Sequence, residues 1–221
     1  SSYTIVKENV WDEYMKDIII IDNFINDEEL EEARQFIGEE SSLKEDVRKK
    51  FSYLIRYWKF NHGDNCYKKN IVDLRSPPAF FPPGSGMDDL VPSIKKFILK
   101  MKNRIDKYTN TNFKLERVYL NRQICGQDVT LHVDGDKPNV YTLLIYIGDI
   151  TPENYDKAGG DLEFKTKEIT RIEPFTKRAV LFRGYIPHMA YAPLVSGLTR
   201  ISIAFKFVDT SNELPFNVSY S

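Results

Sequence analysis

The segment Arg200-Ile-Ser-Ile-Ala-Phe-Lys-Phe207 alternates strictly between apolar and other residues. That period of two is the signature of a strand with both faces in use. Ile201, Ile203, Phe205 and Phe207 fall on one face, and Arg200, Ser202, Ala204 and Lys206 on the other. A guanidinium in a sheet needs either water or a partner. On an edge strand Arg200 reaches water. On an inner strand it needs an anion, and its planar, permanently charged fork suits the far carboxylate of a keto acid, with the Ser202 hydroxyl as a second donor.

The same punctuation continues toward the N-terminus. Short strands are expected at Leu115–Ile124, Val129–His132, Val140–Ile147, Asp161–Phe164, Glu168–Ile172, Ala179–Phe182, His188–Ala192 and Arg200–Val208. Eight such strands separated by Gly, Pro and Asn fit an antiparallel sandwich or a jelly roll of the cupin kind. Gly159-Gly160 gives a tight turn into one of them. Residues 1–112 lean toward helix. Asp17–Asp22 reads as a short buried strand, and Asn26 as the N-cap of a helix from Asp27 to about Ile37 that stops at Gly38. A second helix is expected from about Asp88 to Tyr108, because Leu90, Ile94, Phe97, Ile98, Met101, Ile105 and Tyr108 form one apolar stripe for a sheet to cover. The expected class is α+β, mainly β, as a single domain over 1–221 with a helix-rich portion at 1–112 and a β core at 113–210.

Two intervening stretches are less regular. Phe51–Phe60 is rich in strand-forming aromatics; Arg56, Tyr57, Trp58 and Lys59 either hold a substrate by stacking or lie on a half-buried strand with charges outward. Ser76–Gly86 is broken by prolines and serves as a lid or as a rigid connector.

The chain has 221 residues, 42% hydrophobic and 13% aromatic, enough for a sizeable core. With 31 Lys+Arg against 32 Asp+Glu, the net charge of −1 gives no field that favours nucleic acid or an anionic membrane. Cys66 and Cys125 match neither a disulfide scaffold nor a zinc motif. No apolar run approaches the ~18 residues of a membrane span, and Ser1–Glu8 carries no signal-peptide core. A soluble protein of a reducing compartment, with the cytoplasm as default, is expected.

The chain has three histidines, His62, His132 and His188. In His132-Val-Asp134 both side chains leave an extended backbone on the same side and reach one ion. With His188 they make two imidazoles and a carboxylate, which take one face of an octahedral Fe(II) and leave three positions open. The rival pair His62-Gly-Asp64 lies in a stretch that reads as a turn. Taking it with His132 leaves only Lys137 as a nearby cation, and taking it with His188 leaves His132-Val-Asp134 unexplained.

His132-Val-Asp134, Gly159-Gly-Asp-Leu-Glu-Phe164, His188 and Arg200-Ile-Ser202, in this order, resemble the 2-oxoglutarate and Fe(II)-dependent oxygenases, nearest to their prolyl 4-hydroxylase branch. The resemblance spans roughly Leu115 to Val208. It implies a double-stranded β-helix core with supporting helices. It also implies His132, Asp134 and His188 as iron ligands and Arg200 as partner of the distal co-substrate carboxylate. Tyr146 resembles the strand tyrosine that bonds the same carboxylate in some prolyl hydroxylases. Thr142 and Leu144 share its face, Ser202 adds a donor, and Gln123 stands where such enzymes commonly carry a tyrosine. Collagen-type enzymes prefer lysine at the place of Arg200.

The activity so implied is hydroxylation of an unactivated C–H bond with Fe(II), O2 and 2-oxoglutarate, releasing succinate and CO2, with ascorbate as an optional reductant. A protein side chain such as peptidyl proline is the first expectation for the substrate, a free amino acid or small metabolite the second and a nucleobase the third. A cupin dioxygenase without 2-oxoglutarate and a non-catalytic jelly-roll binding module are the rival classes.

Overall fold

The computed structural model describes residues 3–6, 17–38, 42–50, 58–61, 63–75, 86–167 and 169–212. The chain begins with strands β1 (Tyr3–Val6) and β2 (Ile18–Ile21), then helices α1 (Asp27–Arg34) and α2 (Glu45–Lys50). Strands β3 (Lys59–Asn61) and β4 (Cys66–Asp73) precede helix α3 (Pro92–Thr109). There follow β5 (Phe113–Gln123), β6 (Val129–His132), β7 (Val140–Tyr146), the single turn α4 (Tyr155–Ala158), β8 (Leu162–Lys165) and β9 (Ile169–Ile172). The last strands are β10 (Ala179–Arg183), β11 (His188–Ala190) and β12 (Arg200–Asp209).

All eight strands expected in the second half are present, within a few residues at their ends. Together with β1 to β4 they form two antiparallel sheets, one ordered β1-β2-β10-β7-β12-β5-β4-β3 and the other β6-β11-β8-β9. The large sheet is buried on both faces, which explains its mixed alternation. On its helix side Leu143, Ile145, Leu181, Ile201, Ile203, Phe205 and Phe207 pack with Ile94, Phe97, Ile98, Met101 and Ile105 of α3. On its inner side Leu144, Tyr146, Val180, Phe182 and Ala204 meet Leu162, Phe164 and Ile172 of the small sheet. This two-layer jelly roll is the expected architecture. β12 lies between β7 and β5 and is not an edge, so Arg200 is 3% exposed and does not reach water.

The helices follow their caps. Asn26 starts α1 with a capping box: Glu29 N–H donates to Asn26 Oδ1 at 2.8 Å and Asn26 N–H to Glu29 Oε1 at 3.1 Å. The last turn, Gln35–Ile37, tightens to 3-10 before Gly38, whose backbone is extended. α3 begins at Pro92, four residues later than the apolar stripe suggests. Proline lacks an N–H and disfavours helical backbone at the residue before it, so Val91 is extended and Pro92 takes the first helical position. Met87–Asp89 is a separate 3-10 turn, and Leu90 is buried through a bridge to Leu43 instead. The left-handed Asn110 (φ 51°) ends the helix.

The N-terminal portion contributes more strand than its composition suggests, since β1 to β4 all join the large sheet. Of Phe51–Phe60, residues 51–57 lie outside the described residues, as do His62 and residues 76–85, so neither the aromatic cluster around Tyr57 nor the proline-rich loop is placed. Trp58 donates from its indole to Ile37 O at 2.8 Å, and Lys59 and Phe60 open β3.

Candidate metal centre and its pocket

Register brings the three candidate ligands together. β11 lies between β6 and β8, and its pairing sets His188 directly opposite His132, with ring centroids 4.5 Å apart. Past the end of β6, Asp134 N–H donates to Gly184 O at 2.7 Å, fixing the turn that presents the carboxylate. His132 Nε2 is 3.4 Å from Asp134 Oδ1, and His188 Nε2 is 3.4 Å from Oδ2. All three ligand atoms lie within 4.8 Å of one another.

Backbone carbonyls orient both imidazoles. His132 Nδ1 is 2.7 Å from Thr130 O and His188 Nδ1 is 2.8 Å from Ile186 O. A carbonyl oxygen only accepts, so each Nδ1 carries a proton, which leaves Nε2 as the ring nitrogen turned toward Asp134 and able to face a metal. His188 is buried against the edge-on ring of Phe182 at 4.7 Å, while His132 is half-buried at the mouth. Asp134 is ionised: burial works against its charge, but Lys206 and the two imidazoles hold its carboxyl well below the usual range. The Asp134 carboxylate beside His132 raises that imidazole, with burial opposing.

Arg200 is met by neutral groups. Its Nε donates to Gly160 O at 2.7 Å, Nη1 to Gln123 Oε1 at 2.9 Å and Nη2 to Tyr146 OH at 3.2 Å. These take three of its five N–H groups. Among the described residues no carboxylate lies within ion-pair distance of it, so a buried cation is left with two donors for an anion. Gln123 is oriented from behind, its Nε2 donating to Gln127 O and Ala190 O. Burial pushes the Tyr146 phenol up, so it stays protonated and keeps a hydrogen to donate. Ser202 is buried opposite Tyr146 in the ladder.

One cavity joins the two groups. Its lining includes His132, Asp134 and His188 as well as Gln123, Arg200 and Ser202, with Leu144, Leu162 and Phe182 as apolar wall. Thr142 also lines it, but its hydroxyl is already engaged: it donates to Asp134 Oδ2 at 2.8 Å and accepts from Lys206 Nζ at 2.9 Å. The chemistry of the donor set fits ferrous iron and a 2-oxo dicarboxylate, with two neutral nitrogens and one carboxylate for the metal and a buried arginine for the far carboxylate.

Several lining residues carry no signal in the sequence as a motif. Lys206 falls on the Arg200 face by alternation, yet nothing in the sequence shows that Asp134 comes within 2.6 Å of it. Cys66, Lys68, Tyr119 and Asn121 line the cavity because β4 joins β5. Asp64, half of the rival His-x-Asp, lines the mouth and is ion-paired with Lys68.

No family model matches the chain, and no curated protein matches it. Solved structures do. A Pseudomonas putida prolyl-4-hydroxylase superposes with a TM-score of 0.55 at 12% identity, covering 87% of this chain and 92% of that one. The viral collagen prolyl hydroxylase of Paramecium bursaria Chlorella virus-1, crystallised with 2-oxoglutarate, gives 0.53 at 20% identity over 87% and 96%. HygX from Streptomyces hygroscopicus, with nickel, 2-oxoglutarate and hygromycin B bound, gives 0.54 at 12% identity over 88% and 83%. The likeness read over the second half of the sequence thus extends, as a fold, over most of the chain, which has the fold of the 2-oxoglutarate and Fe(II)-dependent oxygenases, prolyl hydroxylases among them.

Proposed function

We propose that the protein is a 2-oxoglutarate- and Fe(II)-dependent dioxygenase that hydroxylates an unactivated C–H bond. The observation that carries this reading is the pairing of a His132–Asp134–His188 group with an acid-free, buried Arg200 in one cavity. In this reading the two imidazoles and Asp134 hold the metal. Arg200, Tyr146 and Ser202 bind the far carboxylate, Gln123 keeps the guanidinium aimed, and Leu144 excludes water along the chain of the co-substrate. Bound iron supplies the O2 chemistry, and the balance is C–H + O2 + 2-oxoglutarate giving C–OH + succinate + CO2. The residues themselves bind, orient and keep water out, which is what positioning before O2 arrives requires.

The fold neighbours include enzymes of peptidyl proline and others of small molecules. A protein side chain such as peptidyl proline is taken as the substrate, with a free amino acid or small metabolite as the second reading. Ascorbate as an accessory reductant belongs to the same proposal. We take 1–221 as one domain because strands from both portions share the large sheet. Among the described residues no helix is long and apolar enough to cross a membrane. The exposed free thiol of Cys125 supports a reducing compartment such as the cytoplasm.

The test is succinate release with Fe(II) and 2-oxoglutarate, measured against proline-rich peptides, free amino acids and oligonucleotides. Arg200→Ala is expected to raise the 2-oxoglutarate concentration required by a hundredfold or so, about 3 kcal/mol for a broken buried charge contact. Absence of both coupled and uncoupled turnover in the metal-loaded protein would sink the oxygenase reading. An unaltered 2-oxoglutarate requirement in Arg200→Ala would sink the co-substrate assignment.

A further inference from the structure

Lys206 lines the same cavity with its side chain largely buried, and the proposed reaction gives it no part. It lies on the same face of β12 as Arg200, six positions further along, or about 20 Å of extended backbone. At its level the β12–β5 register slips, leaving Glu116 bulged, the kind of irregularity that re-aims a side chain beside a site. The Lys206 ammonium is 2.6 Å from Asp134 Oδ2 and 2.9 Å from Thr142 Oγ1, and its remaining side faces the Tyr119 ring at 5.6 Å. Its side chain is 15% exposed and that of Asp134 10%, so water does little to screen the pair. Thr142 donates to the same Oδ2. Oδ2 therefore carries these two donors and also lies 3.4 Å from His188 Nε2, while Oδ1, with neither donor, faces His132 Nε2 at 3.4 Å.

We propose that Lys206 is a built-in counter-charge for the metal-binding carboxylate. It occupies Asp134 Oδ2 together with Thr142, leaves Oδ1 as the single ligand atom, and weakens the draw of the site on a divalent cation. This rests on the metal-site part of the reading above. A carboxylate free of such donors takes a metal through one oxygen or both; one held at Oδ2 takes it through one and keeps the other positions open for the co-substrate and O2. The ammonium also offsets the only negative charge among the three ligands. The affinity of the site then comes from geometry more than from charge.

Lys206→Met tests this without any co-substrate, by titrating apoprotein with Co(II) and reading visible absorption. The expected result is Co(II) binding at least tenfold tighter than in the wild type. The rise in melting temperature on adding Co(II) should also be larger, because the apo variant buries a carboxylate without its counter-ion. Lys206→Arg should bring both readouts back to within threefold of the wild type. Lys206→Gln keeps donors for Oδ2 without the charge; it should behave like the methionine variant and replaces it if that variant does not fold. Unchanged or weaker Co(II) affinity in a folded neutral variant overturns the proposal. So does an effect confined to 2-oxoglutarate affinity, which would assign the lysine to the co-substrate instead. If the wild type binds Co(II) but never turns over 2-oxoglutarate, the oxygenase function falls while the Lys206 comparison still decides this one. A wild type that binds no Co(II) overturns both.

Discussion

His132 and His188 share a ligand role in the proposed site but differ in what else depends on them. His132 ends an edge strand and is half-buried, whereas His188 fills the space between Phe164 and Phe182. His132→Ala is therefore expected to abolish Co(II) binding while costing less than about 1 kcal/mol of stability. His188→Ala loses the metal and also leaves a cavity, costing roughly 2–3 kcal/mol. Denaturant melts of the two apoproteins, read beside metal titrations, separate the two effects. Gly148 is constrained by the same close packing: a Cβ there would lie 2.4 Å from Thr199 O and 2.7 Å from Ile201 N. Gly148→Ala must push the chain beyond β7 away from the start of β12, moving Arg200. Roughly 2 kcal/mol of destabilisation and a raised 2-oxoglutarate requirement are expected. Unaltered kinetics in that variant would mean that Arg200 tolerates the displacement.

At the scale of elements, α1 and α3 are joined by Glu29, which accepts from both Arg104 Nη atoms at 2.8 Å while also closing the capping box. The Arg104 guanidinium beside it, against an opposing effect of burial, brings the Glu29 carboxyl down to about 2. An unfolded glutamate titrates near 4.5. Because the folded value is the lower, the unfolded chain takes up the proton first as pH falls. The stabilisation is thus complete above about pH 4.5 and lost on the way to pH 2, amounting to roughly 3 kcal/mol at most. Glu29→Gln should flatten the stability curve across that window, and equilibrium melts from pH 5 to pH 2 measure it. A curve of unchanged slope would show that another carboxylate governs acid unfolding. The Asn26 cap and the α3 stripe were both readable locally, since each is a pattern of neighbours in sequence. The start of α3 was displaced by Pro92, because backbone sterics at a proline override an apolar period that extends past it.

For the whole molecule, the centre of the large sheet is the part that cannot open without dissolving the core. β12 is hydrogen-bonded on both sides, to β7 and β5, and is apolar on the face toward α3. Amide exchange should be slowest in β7, β12 and β5 and markedly faster in β6 and β9, the edges of the small sheet. Uniform protection across both sheets would contradict this. By the same reasoning the floor of the cavity, carrying Arg200 and Ser202, should be well protected from exchange, and the His132 side, on an edge strand, less so.

The sequence by itself determined the strand alternation, the eight-strand pattern of the second half and the Asn26 cap, and it singled out His132, Asp134, His188 and Arg200, which the fold gathers around one cavity. These depend on period, spacing and the scarcity of histidine, all of them properties of neighbours along the chain. Only the tertiary structure decided that β12 is a central strand, that Gln123 and Gly160 orient Arg200, and that Lys206 engages Thr142 and Asp134. It also decided that β4 walls the cavity. Each of these depends on which strands become neighbours and in what register, and a one-residue slip exchanges every side chain between core and cavity. Local pattern specifies which face a residue takes; the partner across that face is set by the closure of the two sheets.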